Sequence, residues 1–121
     1  LRDFTYIDDI KDGVLAVIDN PAAANRKWEE NNEVQSSSAP YKIYNIGNNK
    51  PVKLMDFIEH IEEYLNLDIK KKFMEIQPGD VEKTYADIEE ISNNFNFLPK
   101  TDVKTGVKNF IDWYKDFYQI K

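Results

Sequence analysis

Arg2-Asp3-Phe4-Thr5-Tyr6-Ile7-Asp8-Asp9 stands at the start of the chain, and its reading decides the fold class. Phe4, Thr5, Tyr6 and Ile7 are aromatic or β-branched and suit a short strand over residues 2–7, while Asp8 or Asp9 can cap a helix directly behind it. Ile10, Val14, Leu15, Val17 and Ile18 give that helix an apolar face, and Asn20-Pro21 ends it. A strand feeding a helix points to a mixed α and β chain.

The same alternation continues outward from this stretch. Residues 20–40 are polar, with runs of alanine and serine and no sustained period, and read as a long loop; Trp28 inside it suits a turn of helix held by local packing. Residues 41–46 are rich in strand formers and run into the turn chemistry of Gly47-Asn48-Asn49-Lys50-Pro51. Leu54, Phe57, Ile58, Ile61 and Leu65 then mark one face of a helix over residues 52–66, with His60 off that stripe as a surface residue. Residues 69–76 return to strand composition, and Gln77-Pro78-Gly79-Asp80 fits a type II turn. Asp87 with Glu90 three residues on forms a capping-box pattern for a short helix carrying Ile88, Ile91 and Phe95, which Pro99 closes. Thr101 caps a last helix whose apolar face is Val103, Val107, Phe110, Ile111, Tyr114, Phe117 and Tyr118. The order is strand, helix, strand, helix, strand, helix, helix, so the expected class is α+β (mixed α/β), with residues 1–121 as one region.

With 121 residues, 41% of them hydrophobic, the chain is large enough for one globular unit. Its net charge of -6 is spread along the sequence without a basic stripe, which argues against a nucleic-acid partner. It has no cysteine, which excludes disulfides and thiolate metal sites. No apolar run approaches the ~18 residues that span a bilayer, so a membrane role is not expected and the cytoplasm is the default location. Three strands cannot close a sheet, so open strand edges and self-association are expected unless another piece covers them.

Several catalytic signatures are missing. A dinucleotide site needs several glycines at a strand-to-helix turn, and Gly47 stands alone. No tyrosine has a lysine four residues later, so the phenol-ammonium relay of many reductases is not encoded. His60 has no second histidine to make a metal site, and no serine sits in a nucleophile elbow.

The 2–9 stretch, Tyr44-Asn45-Ile46-Gly47, the helix start at 51–57, Gln77-Pro78-Gly79-Asp80 and Tyr85-Ala86-Asp87, taken in order, closely resemble the extended short-chain dehydrogenase/reductase superfamily. Within it the likeness is to the carboxy-terminal third of bacterial UDP-glucuronate 4-epimerases, down to Phe110-Ile111-Asp112-Trp113-Tyr114. The resemblance implies the substrate-binding part of an extended short-chain dehydrogenase fold without its Rossmann cofactor domain. It further implies an NAD-dependent reaction at C4 of a UDP-sugar, with NAD bound by the amino-terminal Rossmann part and none by this chain alone. Other nucleotide-sugar epimerases, 4,6-dehydratases, and a non-catalytic binding or assembly module of the same ancestry share these features.

By the same resemblance, Arg2 matches an arginine that contacts the UDP phosphates, a task suited to a planar, permanently charged fork; the plain alternative is a salt bridge to Asp3 or a neighbour. Asp80 matches an acidic residue that accepts hydrogen bonds from the ribose, and it also fits simple completion of the turn. Gln77 stands where several relatives carry a second phosphate-binding arginine, weakening the clamp by one charge. Thr84 matches the position that limits space around the sugar, where a threonine leaves room for a larger substituent.

Overall fold

Helices account for nearly all the regular structure in the computed structural model, which describes residues 1–31 and 33–120. They are α1 (Ile7–Asp19), α2 (Trp28–Asn31), α3 (Leu54–Leu65), α4 (Glu89–Phe95) and α5 (Val103–Phe117). Asn32, in the expected loop, and Lys121 lie outside the described residues.

The apolar period located the helices, and the ends follow from local backbone chemistry. α3 starts two residues later than expected because Lys53 keeps extended backbone (φ -71, ψ 144), and it stops where Asn66 turns left-handed (φ 51). Asparagine tolerates that conformation better than most residues because its short side chain bonds locally. Three expected caps are corrected. Tyr6 takes the cap position of α1 without a side-chain bond, so Asp8 and Asp9 lie in the first turn rather than before it. Asp102, not Thr101, caps α5, its carboxylate accepting the Thr105 N–H at 2.7 Å. At α4 the Asp87 carboxylate accepts the Glu89 N–H at 3.0 Å, but Glu90 pairs with Lys42 instead of completing a capping box.

The strands are met only in part. Arg2 and Val52 exchange both backbone bonds at 2.9 Å, an antiparallel bridge with no continuation. Ser36 and Lys42 form a second bridge, and Ala24 and Pro40 a third. Residues 69–76 form no bridge, leaving Phe73 80% exposed. The α+β class is therefore half realised among the described residues: helices with extended segments, and no ladder. Strand propensity measures fit to a half-buried pleated surface, and residues 69–76 have no such surface beside them here.

The 20–40 segment holds more structure than its composition suggests. Trp28 opens α2, and its indole N–H donates to the Glu33 carbonyl at 2.9 Å, the local packing expected of it. Asn25 bonds the other arm through its backbone to Ser37 and its side chain to Ser36.

Two packed groups hold the molecule. Ile88, Ile91 and Phe97 are buried against Val17, Tyr44, Ile46, Ala86 and Phe95, joining α1 to α4. α3 packs on α5 around Val107 and Ile111, and Phe4 stacks on Phe57 with ring centroids 4.4 Å apart. Much of the expected α5 face is open: Phe110, Phe117 and Tyr118 are more than half exposed. Among the described residues no helix is long and apolar enough to cross a membrane.

Candidate functional site

The turn at 77–80 forms as its composition requires. Gly79 has φ +93, the left-handed value demanded at the third position of a type II turn, and the Asp80 N–H donates to the Gln77 carbonyl at 3.0 Å. Closing the turn places the Asp80 carboxylate 3.8 Å from Arg2 Nη2. The guanidinium is steadied from its other terminal nitrogen, Nη1, which donates to the carbonyls of Leu1, at 3.2 Å, and Val81. Thr84 lies on the same seam, donating its N–H to the Leu1 carbonyl at 3.2 Å and accepting the Asp3 N–H on its hydroxyl at 2.9 Å.

Three of the four expected site residues, Arg2, Asp80 and Thr84, thus meet along one seam between the first residues and the 77–86 segment. Gln77 does not join them: it is exposed, and its side-chain amide donates to the Glu75 carbonyl at 3.2 Å. Asp80 completes the turn, as its plain reading has it, and its carboxylate also faces Arg2. The Arg2–Asp80 pair is long and exposed, with side chains 33% and 60% accessible, so it is worth little by itself and leaves both groups available to a ligand. A guanidinium beside a carboxylate is equipped to bind an anion and to accept hydrogen bonds from hydroxyl groups.

Asp3 is the residue that sequence reasoning missed. Its Oδ2 accepts the N–H groups of Asn49 (3.1 Å) and Ala86 (3.0 Å), and its Oδ1 accepts that of Lys50 (3.3 Å). It therefore makes no salt bridge with Arg2, one of the alternatives its sequence position raised; Arg2 pairs with Asp80. Its only sequence signal was adjacency to Arg2 within the opening stretch. Gly47 makes the arrangement possible, because a Cβ there would lie 2.2 Å from the Ala86 Cβ and 2.9 Å from Asp3 Oδ2.

That geometry also bears on the cofactor. Gly47 follows a strand-like segment, and the Asn49 and Lys50 N–H groups in the turn after it are taken by Asp3. Amides already bonded to the chain's own carboxylate do not form a pyrophosphate cradle, so this turn does not fit NAD.

The arm leading to the 77–80 turn is pinned to α3. Glu62 pairs with Lys71 and accepts the Ile69 N–H at 2.7 Å, and the Lys71 ammonium, with that amide second, holds the Glu62 carboxyl below the usual carboxylate range. His60 is less exposed than a surface helix position implies: its side chain is 28% accessible, and its buried Nδ1 has no hydrogen-bond partner. Among the described residues no group of histidine, cysteine, aspartate or glutamate can hold a metal ion.

These features define the chain as resembling the carboxy-terminal portion of the extended short-chain dehydrogenase/reductase superfamily, and its homologues include UDP-glucuronate 4-epimerases. Over 120 residues, 98% of its length, it is 44% identical to Protein CapI of Staphylococcus aureus. It is 38% identical over 118 residues to UDP-glucuronate 4-epimerase 1 of Arabidopsis thaliana. Among solved structures it superposes on a mutant UDP-glucuronic acid 4-epimerase from Bacillus cereus, crystallised with UDP-4-deoxy-4-fluoro-glucuronic acid and NAD, with a TM-score of 0.73 and 25% identity. That superposition covers 96% of this chain and 32% of the epimerase. The chain spans about a quarter to a third of the length of the curated relatives it matches, 36% of Protein CapI and 27% of the Arabidopsis epimerase. No protein-family model matches it.

Proposed function

We propose that this chain is the nucleotide-sugar-binding portion of an NAD-dependent epimerase acting on UDP-glucuronate, with UDP-galacturonate as product. The observation that carries the reading is the meeting of Arg2 and Asp80 on one exposed seam, in a chain related to UDP-glucuronate 4-epimerases. Arg2 holds a phosphate of the UDP group, Asp80 accepts hydrogen bonds from the ribose, and Thr84 borders the sugar. Gln77 contributes no charge, so Arg2 carries the phosphate contact among these four residues. NAD supplies the redox step at C4 and belongs to an amino-terminal Rossmann part, because the Gly47 turn is closed to it. This chain binds and orients the nucleotide; by itself it does no chemistry. The setting is polysaccharide precursor synthesis in the cytoplasm.

Titration of the 121-residue chain with UDP-glucuronate, followed by 15N–1H NMR, tests the binding role. Shifts are expected at Arg2, Asp80 and Thr84, and uridine, which lacks phosphate, should bind more weakly. Equal response to uridine and UDP-glucuronate, or no response at these residues, overturns the reading.

A further inference from the structure

Asp3 invites a question that its neighbours do not: why the carboxylate next in sequence to Arg2 does not pair with it, while Asp80 does. An aspartate adjacent in sequence to Arg2 is well placed to pair with it, and a second carboxylate on the guanidinium, beside Asp80, would leave it less able to attract a phosphate. The structure spends the Asp3 charge elsewhere, on the backbone N–H groups of Asn49, Lys50 and Ala86. Bonds from amides to an ionised carboxylate are stronger than neutral ones, so this is a firm junction. It joins three segments far apart in the chain: the opening stretch that carries Arg2, the turn after Gly47, and the segment running on from Asp80 and Thr84. The Asp3 N–H closes the junction from the backbone side by donating to Thr84 Oγ1 at 2.9 Å. Gly47 leaves the space that Asp3 Oδ2 and Ala86 occupy.

Taken with the site proposed above, on which this inference rests, the geometry points to Asp3 as the positioning residue of the Arg2–Asp80 pair. Its carboxylate fixes the strand-like segment of Arg2 against the 80–86 segment, so that guanidinium and ribose acceptor are set at their working separation before a nucleoside diphosphate arrives. Asp3 does not touch the ligand; it acts through Arg2. Preorganisation of this kind raises affinity by removing the cost of ordering the two segments during binding.

The test is a UDP titration of the chain and of its Arg2→Ala, Asp3→Asn and doubly substituted variants, followed by 15N–1H NMR. Asp3→Asn keeps the side-chain shape but sets an NH2 group against backbone donors. It should weaken UDP binding by about tenfold, with the Asn49, Lys50 and Ala86 amides moving and the α3 and α5 resonances in place. The double variant should bind no more weakly than Arg2→Ala alone, because a residue acting through Arg2 has nothing left to position. Losses that simply add in the double variant, or parental affinity in Asp3→Asn when Arg2→Ala has lost it, overturn the inference while leaving the site reading intact. A parent chain that ignores UDP, or an Arg2→Ala variant that binds it normally, overturns the site reading and this inference with it. If Asp3→Asn does not fold, Asp3→Glu carries the test: it keeps the charge but displaces it by one methylene. Weakened binding that vanishes as a separate effect in the Arg2→Ala background supports the role, and parental affinity overturns it.

Discussion

At the scale of single residues, Gly47 is the glycine with least room for a side chain. Placing a methyl group at Gly47 drives it to 2.2 Å from the Ala86 Cβ, so backbone or neighbour must move. Gly47→Ala should therefore destabilise the chain by about 1–3 kcal/mol, the usual cost of overpacking, read as a lower urea midpoint at unchanged slope. An unshifted midpoint would show that the 47–50 turn and the Ala86 segment are not packed as described. A second residue-scale expectation concerns Asp102. Its bond from the Thr105 N–H holds its carboxyl below the usual value, so the folded state binds its proton less readily than the unfolded chain. The stabilisation it gives is present above the ordinary aspartate value of about 3.9 and is lost as the pH falls through the lower folded value. Asp102→Ala should cost about 1 kcal/mol at neutral pH, the typical value of a helix cap, and the difference from the parent should shrink in acid. Urea unfolding at both pH values checks this, and a difference that persists unchanged in acid contradicts it.

Elements pose a different problem, because a helix brings a whole face with it. α5 buries Val107 and Ile111 but leaves Phe110, Trp113, Tyr114, Phe117 and Tyr118 as an exposed aromatic stripe, with Trp113 and Phe117 ring centroids 5.4 Å apart. An apolar groove of about 690 Å³ opens beside it between residues 4–7, α3 and α5. Aromatic surface of this extent drives association, so the isolated chain should sediment faster as its concentration rises. Trp113→Gln with Phe117→Gln should return it toward monomer; a parent that is monodisperse and monomeric at every concentration refutes the expectation. The elements also show what a sequence discloses. α3 and α5 were legible because apolar residues every three or four positions need only their own helix to make sense. The 69–76 segment looked equally regular, yet Ile69, Phe73, Met74 and Ile76 describe a strand that needs a neighbour, and no neighbour is encoded in their spacing. The 77–80 turn was legible from Pro78 and Gly79, and with it the place of Asp80. Asp3 and Asp9 were not, because their partners lie 46 to 92 residues away in sequence, and no local pattern reports such a bond.

For the molecule as a whole, the proposed division of labour makes a plain forecast about chemistry. Supplied with NAD and UDP-glucuronate, the chain alone should form no UDP-galacturonate, because the Gly47 turn is closed to the cofactor and no tyrosine is paired with a lysine for proton transfer. Chromatography of the nucleotide sugars after long incubation reads the result, and conversion above a heat-killed control refutes it. The two buried or half-buried carboxylates near the start of the chain carry one more consequence, which concerns time rather than space. Asp9 is buried with its oxygens on the N–H groups of Lys100 and Thr101, and Asp3 waits for Ala86. During synthesis Asp3 and Asp9 thus meet Ala86 and Thr101 only after some 80 to 90 further residues have been added. At the ~5–20 residues per second of translation those bonds wait for seconds, so this stretch settles well after the residues that directly follow it.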